Sequence, residues 1–370
     1  MQVITKGESG GAQTHVLVLC KALMPRVRFV AVIGGASPRS FLGDELQALG
    51  IPVCPLPQLG NSLSPLRVFS AVRALLHLLR EHKPDVLHAH SGVAGVVARI
   101  AGRIAGTPVI YTVHGFGFKP EAPLVQRLAA WLAEWTMARF THHMICVSSH
   151  ELQLARRLPL AADRLSVIPN AVWDTPARAH PGHEPMRVAM VARLAAPKRP
   201  DLLLLALARL RDKLGQEAAA TLIGGGPDIE VHRALARRLN LQAVEFAGDV
   251  GDVPARLAQH EVFVLMSDHE GLPISVIEAM RAGLAIVASD LPGIRELLTH
   301  GTHGLLVANE PGALAEALEA LAAAPQLRAS LGQAARRHYE TRFTPAPMAG
   351  AVEALYGQII HHEPTRHHVR

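Results

Sequence analysis

Aromatic residues make up only 4% of the 370-residue chain, and there are just three cysteines, Cys20, Cys54 and Cys146. So few aromatic side chains, set against abundant alanine and leucine, argue against an all-β sandwich and for helix-rich α/β layers. Three widely separated cysteines with no C-x-x-C pair offer neither a disulfide framework nor a zinc site, and they suit a reducing compartment, the cytoplasm. No run of about 18 apolar residues occurs, so no segment reads as a membrane span. Met1-Gln2-Val3-Ile4 leads straight into a polar glycine turn, without the pattern of a signal peptide. G-x-G-x-x-G and G-K-[ST] are both missing, which removes the dinucleotide fingerprint and the P-loop.

What is present is a globular composition, 49% hydrophobic and 18% charged, in a chain long enough for two cores. The net charge of +6 suits nucleic acid, anionic lipid or a phosphorylated substrate. Nucleic acid is disfavoured because no basic stripe with interleaved aromatics appears.

Short apolar runs alternate with amphipathic stretches, the βαβ pattern of parallel sheets. Strands are expected over 1–5, 28–33, 86–88, 108–113 and 143–147, with helices over 14–23, 40–49, 66–81 and 122–140. The pattern stops in a Pro-, Gly- and His-rich stretch and then restarts. Strands follow over 187–191, 219–223, 244–247, 262–266 and 285–288, with helices over 200–214, 229–239, 253–259, 274–282 and 312–323. The expected organisation is therefore a first Rossmann-like domain over 1–172, a linker over 173–186 and a second doubly wound domain over 187–344. A final helix over 345–360 is expected to cross back to the first domain, ahead of an unstructured tail over 361–370.

Ligands of open α/β sheets bind beyond the carboxyl ends of the strands, so the loops there carry most information. Residues 267–280 follow a buried strand and open an Ala-rich helix. Gly271 permits a close turn, Pro273 suits the first helical turn, and the amides of Leu272, Ile274 and Ser275 form a natural anion site. Glu270 before the helix and Glu278 inside it are both candidates to face a hydroxyl-rich ligand. Plain helix capping explains Glu270 better than Glu278. Asp268 with Glu270 also resembles a magnesium-binding pair, although no further carboxylate has suitable spacing.

Arg193 and Lys198 flank the loop after the first strand of the second domain, a clamp suited to a diphosphate if it is more than a solvated basic loop. Gly10-Gly11 follows the first strand of the chain, where backbone can approach phosphate or sugar. His114 ends a buried strand and is suited to exchange a proton with a substrate hydroxyl. His88 and His90 end the neighbouring strand, and Ser91 follows them. These histidines lack a carboxylate at metal-site spacing, and no metal site is expected. Turns at Gly224-Gly225-Gly226 and at Gly248-Asp249-Val250 fit a nucleobase pocket or ordinary turn chemistry. Residues 122–140 carry Leu124, Leu128, Trp131, Leu132 and Trp135 beside Arg127 and Arg139, a helix that either packs on the core or touches a bilayer.

With these motifs together, the chain resembles the retaining glycosyltransferases of family 4, of GT-B fold, over nearly its whole length. Glu270 and Glu278 match that family's Glu-x7-Glu signature, and Arg193 with Lys198 match its phosphate-binding pair. Gly10-Gly11-Ala12-Gln13 and Thr112-Val113-His114-Gly115-Phe116 resemble the subset that builds bacterial extracellular and capsular polysaccharides. Asn170-Ala171-Val172 stands where Asn-Gly-Val is usual.

The resemblance implies two Rossmann-like domains facing across a cleft and a UDP- or GDP-sugar donor, with no cofactor and no required metal. Glu278 would bind the ribose, Glu270 the sugar hydroxyls, and Arg193 and Lys198 the diphosphate. Backbone around Gly271, Leu272, Pro273 and Ile274 would hold sugar and phosphate, with Gly248 and Val250 near the nucleotide. Gly11 would approach the phosphate and His114 the transferred sugar. His90, Ser91 and Phe116 are acceptor-side candidates. The acceptor implied is a glycan or lipid-linked sugar at the inner membrane face. A UDP-sugar epimerase of similar two-domain shape is the competing enzyme class, and a nucleic-acid-binding protein the non-enzymatic one.

Overall fold

A computed structural model of the chain describes residues 1–35, 39–118 and 124–362. The chain forms two compact units: Met1–Ala171 with the segment from Pro345 onward, and Val172–Thr344.

In unit 1, strands β1 (Gln2–Ile4), β2 (Ala31–Gly34), β3 (Val53–Leu56), β4 (Leu87–His90), β5 (Val109–Val113), β6 (His143–Cys146) and β7 (Leu165–Val167) form one sheet. Helices α1 (Gly11–Leu23), α2 (Phe41–Ala48), α3 (Pro65–His82), α4 (Gly92–Ala105), α5 (Leu124–Ala138) and α6 (Ser149–Ala155) connect them. In unit 2, strands β8 (Val188–Val191), β9 (Ala220–Ile223), β10 (Val244–Gly248), β11 (Val262–Leu265), β12 (Ala285–Ser289) and β13 (Leu305–Val307) form the other sheet. Its helices are α7 (Pro200–Leu214), α8 (Ile229–Arg238), α9 (Val253–Leu257), α10 (Ile274–Ala282), α11 (Pro292–Arg295), α12 (Pro311–Ala323) and α13 (Pro325–Arg342), and α14 (Pro345–His362) belongs to unit 1.

Strand pairing is parallel throughout, in the orders β3-β2-β1-β4-β5-β6-β7 and β10-β9-β8-β11-β12-β13. Alternation along the unit 1 strands divides the core in two. Val3, Val32, Val109 and Tyr111 meet Leu75 and Leu79 of α3 and Val97 of α4. Ile4, Ile33 and Ile110 meet Val16 and Leu19 of α1, Leu42 of α2 and Val352 and Leu355 of α14. Helix α14 is thus part of the unit 1 core, and it runs on through His362; residues 363–370 of the expected tail lie outside the described residues. The first two residues of the helix expected over 122–140 also lie outside them.

Residues 173–186, whose composition reads as a linker, carry no helix or strand but belong to unit 2. Arg328, wholly buried, donates to the carbonyls of Pro181 at 2.6 Å and His183 at 2.8 Å and pairs with Glu184 at 2.8 Å. Arg336 grips Asp174 through two bonds of 2.7 Å and pulls its carboxyl down to about 2. Two guanidinium clamps replace the apolar periodicity that the segment lacks.

Candidate active site

The strand order of unit 2 reverses between β8 and β11, and the loops leaving those two strands are sewn together. Lys198 and Ser267 form an antiparallel bridge, the Arg199 N–H donates to the Met266 carbonyl at 2.9 Å, and the Asp268 N–H to that of Pro197 at 2.9 Å. Ser289, at the end of β12, accepts from the Ser267 N–H at 2.8 Å, and Asn309 donates to the Ser267 carbonyl at 2.8 Å. Gly293 fits only because it has no side chain: a Cβ there would lie 2.2 Å from the Gly271 carbonyl oxygen.

On this scaffold Lys198 Nζ pairs with Glu270 Oε1, and both groups are largely buried. Arg199 takes Asp268 at 3.0 Å and Asp201 at 2.8 Å. The acidic pair Asp268 and Glu270 is therefore split between two cations rather than facing one point.

Pro273 is the residue before α10, with φ −70° and ψ 120°, and Ile274 is the first helical one. The helix bounds are those expected, with Pro273 as the capping residue ahead of the first turn. The side chains of Leu272 and Ile274 are buried, so any ligand at this turn meets their backbone. Glu278 lies half-buried in α10, and its side chain makes no hydrogen bond to another described residue. Burial pushes its carboxyl up, against the opposing pull of Arg281. Arg193 is exposed and has no ion-pair partner among the described residues.

The two glycine turns brace this loop from the other side. Gly224, at φ 121°, donates to the Gly248 carbonyl at 2.7 Å, and Gly225 donates to Asp249 at 2.8 Å. A Cβ on Gly224 would sit 2.2 Å from the Ala192 carbonyl oxygen. Val250 beyond them is half-buried. These contacts give Gly224 and Gly248 a clear scaffolding role.

In unit 1 the strand order reverses between β1 and β4. Gly11 opens α1, which has no side-chain cap and no acid in its first turn. Ser91 adopts φ 72°, a conformation unusual for a side chain, and its hydroxyl bonds that of Thr5.

A directed chain of hydrogen bonds fixes the histidines behind them. Gln2 donates to the Tyr356 hydroxyl at 3.0 Å, so Tyr356 donates to His88 Nδ1 at 2.7 Å, and His88 Nε2–H donates to Thr112 at 2.7 Å. The Gln2 carbonyl oxygen then accepts from His90 Nε2–H at 2.8 Å. That leaves His90 Nδ1 to accept from His114 Nε2–H at 3.2 Å. Burial above all, and then mutual proximity, holds His88, His90 and His114 well below their ordinary pKa.

The catalytic candidate His114 is half-buried, and the acceptor-side candidate His90 is fully buried. Phe116 does not present its ring to a ligand: it is 2% exposed and stacks on Phe118, and its N–H donates to Glu151 at 3.1 Å. An apolar side chain three residues past the end of β5 folded back into the core.

Sequence reasoning missed Arg199, Ser289, Gly293 and Asn309 in unit 2, and Gln2, His15, Asn170 and Tyr356 in unit 1. Ser289 ends a strand and Asn309 closely follows one, the only signal available. Tyr356 lies far along the chain on α14, and no local spacing ties it to His88.

Two parallel α/β units, each with polar loops at its strand reversal, define the GT-B architecture, and the chain belongs to the GT-B glycosyltransferases and is a hexosyltransferase. Residues 10–171 match the family described as Glycosyl transferase 4-like domain, and residues 174–338 that described as Glycosyl transferases group 1. The phosphatidyl-myo-inositol mannosyltransferase of Mycobacterium tuberculosis is 31% identical over 371 residues, covering 94% of each chain. The UDP-Gal:alpha-D-GlcNAc-diphosphoundecaprenol alpha-1,3-galactosyltransferase of Escherichia coli is 28% identical, covering 72% of each. In fold, the chain is similar to Anabaena HepE in complex with UDP and glucose, with a TM-score of 0.82 and 22% identity over 97% of this chain and 100% of that one.

Proposed function

We propose that the chain is a retaining, metal-independent hexosyltransferase using a UDP- or GDP-sugar and a glycan or lipid-linked acceptor in cell-surface polysaccharide assembly. The observation that carries this reading is the Lys198–Glu270 pair at the β8/β11 reversal, with exposed Arg193 on the same loop as Lys198. Cations for a diphosphate and a carboxylate for sugar hydroxyls then lie together, and half-buried Glu278 supplies the ribose acceptor. Asp268 and Glu270 each bound to a cation leave the diphosphate charge to Lys198 and Arg193 rather than to a metal. Within unit 1, His114 and the Gly10-Gly11 turn lie beyond the ends of β5 and β1.

In this reading the sugar–phosphate bond breaks as the acceptor oxygen attacks from the same face. The departing phosphate takes the acceptor proton, and Lys198 stabilises its developing charge. HepE, whose structure holds UDP and glucose, and a relative named for UDP-Gal and a diphosphoundecaprenol acceptor support the donor and acceptor classes.

No helix among the described residues is long and apolar enough to cross a membrane. Helix α5 exposes Leu124, Val125, Leu128 and Leu132, while Trp135 packs on the core. That apolar face supports peripheral docking of a cytoplasmic enzyme at the inner membrane surface.

Glu278→Ala is expected to raise the donor KM about 10- to 100-fold, the worth of a hydrogen bond to a charged group. Transfer rates measured with UDP- and GDP-sugars check this, and EDTA leaves the wild-type rate intact. An unchanged donor KM removes Glu278 from the donor site, and EDTA-sensitive transfer removes the metal-free mechanism.

A further inference from the structure

We propose that His15, His90 and His114 form a binding site for a zinc-class transition-metal ion in unit 1, and that its occupancy blocks transfer by engaging His114. The three residues arrive from α1, the end of β4 and the loop after β5, and one ligand nitrogen from each lies within 4.8 Å of the others.

His15 is 1% exposed, and its Nδ1 lies 2.9 Å from Asn170 Oδ1. An amide oxygen only accepts, so Nδ1 carries the proton and Nε2 offers a lone pair. That buried Nε2 has no hydrogen-bond partner. His90 is arranged alike: Nε2–H is taken by Gln2 at 2.8 Å, leaving the Nδ1 lone pair toward His114 at 3.2 Å.

Two features of this arrangement suit a zinc ion. Tetrahedral zinc with bonds near 2.0–2.1 Å requires ligand nitrogens about 3.3 Å apart, the spacing that His90 and His114 already have. Metal-bound imidazoles also donate their second N–H to an oxygen, as His15 does to Asn170 and His90 to Gln2.

Binding displaces no net proton from the trio, because burial keeps all three imidazoles neutral. Only the His114 proton shifts, from Nε2 to Nδ1, as its nitrogen turns from His90 to the metal. Three imidazoles select zinc, copper or nickel over magnesium or calcium. His114 is half-buried, so the site opens to one side for entry and for a fourth ligand such as water. Metal binding rests on unit 1 alone; the block on transfer rests also on the proposed function of His114.

The test is zinc titration by calorimetry on the full chain, with His361, His362, His367 and His368 replaced by glutamine to remove the terminal pairs. One equivalent of zinc is expected, with cobalt giving the visible bands of a tetrahedral ion. His114→Gln, a partly exposed position, should weaken zinc binding by more than about 100-fold. Asn170→Ala should weaken it about 10- to 100-fold, as removal of such supporting hydrogen bonds does elsewhere. Equal zinc affinity in the parent and the His114→Gln chain overturns the site. One-equivalent zinc binding with undiminished transfer overturns the block. A chain with no transferase activity still reports on the metal, so the two failures are distinguishable.

Discussion

Lys198→Met is expected to lower kcat/KM for transfer about 10²- to 10³-fold, chiefly through kcat. The ammonium sits at the reversal between β8 and β11, held toward Glu270 and backed by the Arg199 bridges to Asp201 and Asp268. Negative charge on the leaving diphosphate grows only as the glycosidic bond breaks, so this cation contributes most in the transition state. Removing one such preorganised partner typically costs that range in kcat. Both groups of the Lys198–Glu270 pair are largely buried, so removing the ammonium also leaves Glu270 without its cation and lowers the stability of unit 2. Thermal unfolding run beside steady-state kinetics separates the two effects. A folded variant with wild-type kcat/KM would remove Lys198 from the chemistry, and a change confined to KM would make it a ground-state binder.

Acid should unfold unit 1 well before ordinary carboxylate titration would. His15, His88 and His90 are each at most 1% exposed and held neutral by burial, His15 down to about 4 and the other two well below their usual value. Unfolded, each takes up a proton near pH 6.5, while the folded forms do not. The unfolded state therefore binds more protons below that pH, and stability falls as pH drops from about 6.5 toward the folded values. By pH 5 the loss from His15 alone is about 2 kcal/mol, and His88 and His90 add to it in the same direction, against a typical domain stability of about 5–15 kcal/mol. Urea unfolding at pH 7 and pH 5, followed by Trp131 and Trp135 emission, checks it. A midpoint unchanged between those pH values would mean that the three rings are solvated.

The two sheets and the β8/β11 site were legible because parallel strands buried on both faces leave unbroken apolar runs. The loops after those strands were therefore the places to search, and the fold sets Lys198 beside Glu270 where the β8 and β11 loops meet. Shorter elements escaped for particular reasons. Strand β3 contains Pro55, and β7 and β13 are three half-buried residues each. Helix α4 carries Gly92, Gly95 and Gly102, which are poor helix formers. In the fold, a Cβ on Gly95 would lie 2.7 Å from the Tyr111 ring and one on Gly102 2.3 Å from Val109. Close helix–sheet packing selected those glycines over helix propensity. The clamps of Arg328 and Arg336 on residues 181–184 and Asp174 were equally hidden, since polar contacts across about 150 residues have no local pattern. The histidine chain was half visible: strand ends flagged His88, His90 and His114, but Gln2, His15 and Tyr356 join them only through tertiary packing.

Calorimetric titration of the purified chain with UDP and GDP, in EDTA, tests the central claim most directly. One of the two nucleotides should bind at one equivalent per chain, and Lys198→Met and Glu278→Ala should each weaken it. Absence of binding by both nucleotides, or binding that neither substitution alters, would contradict a donor site built on the β8 and β11 loops.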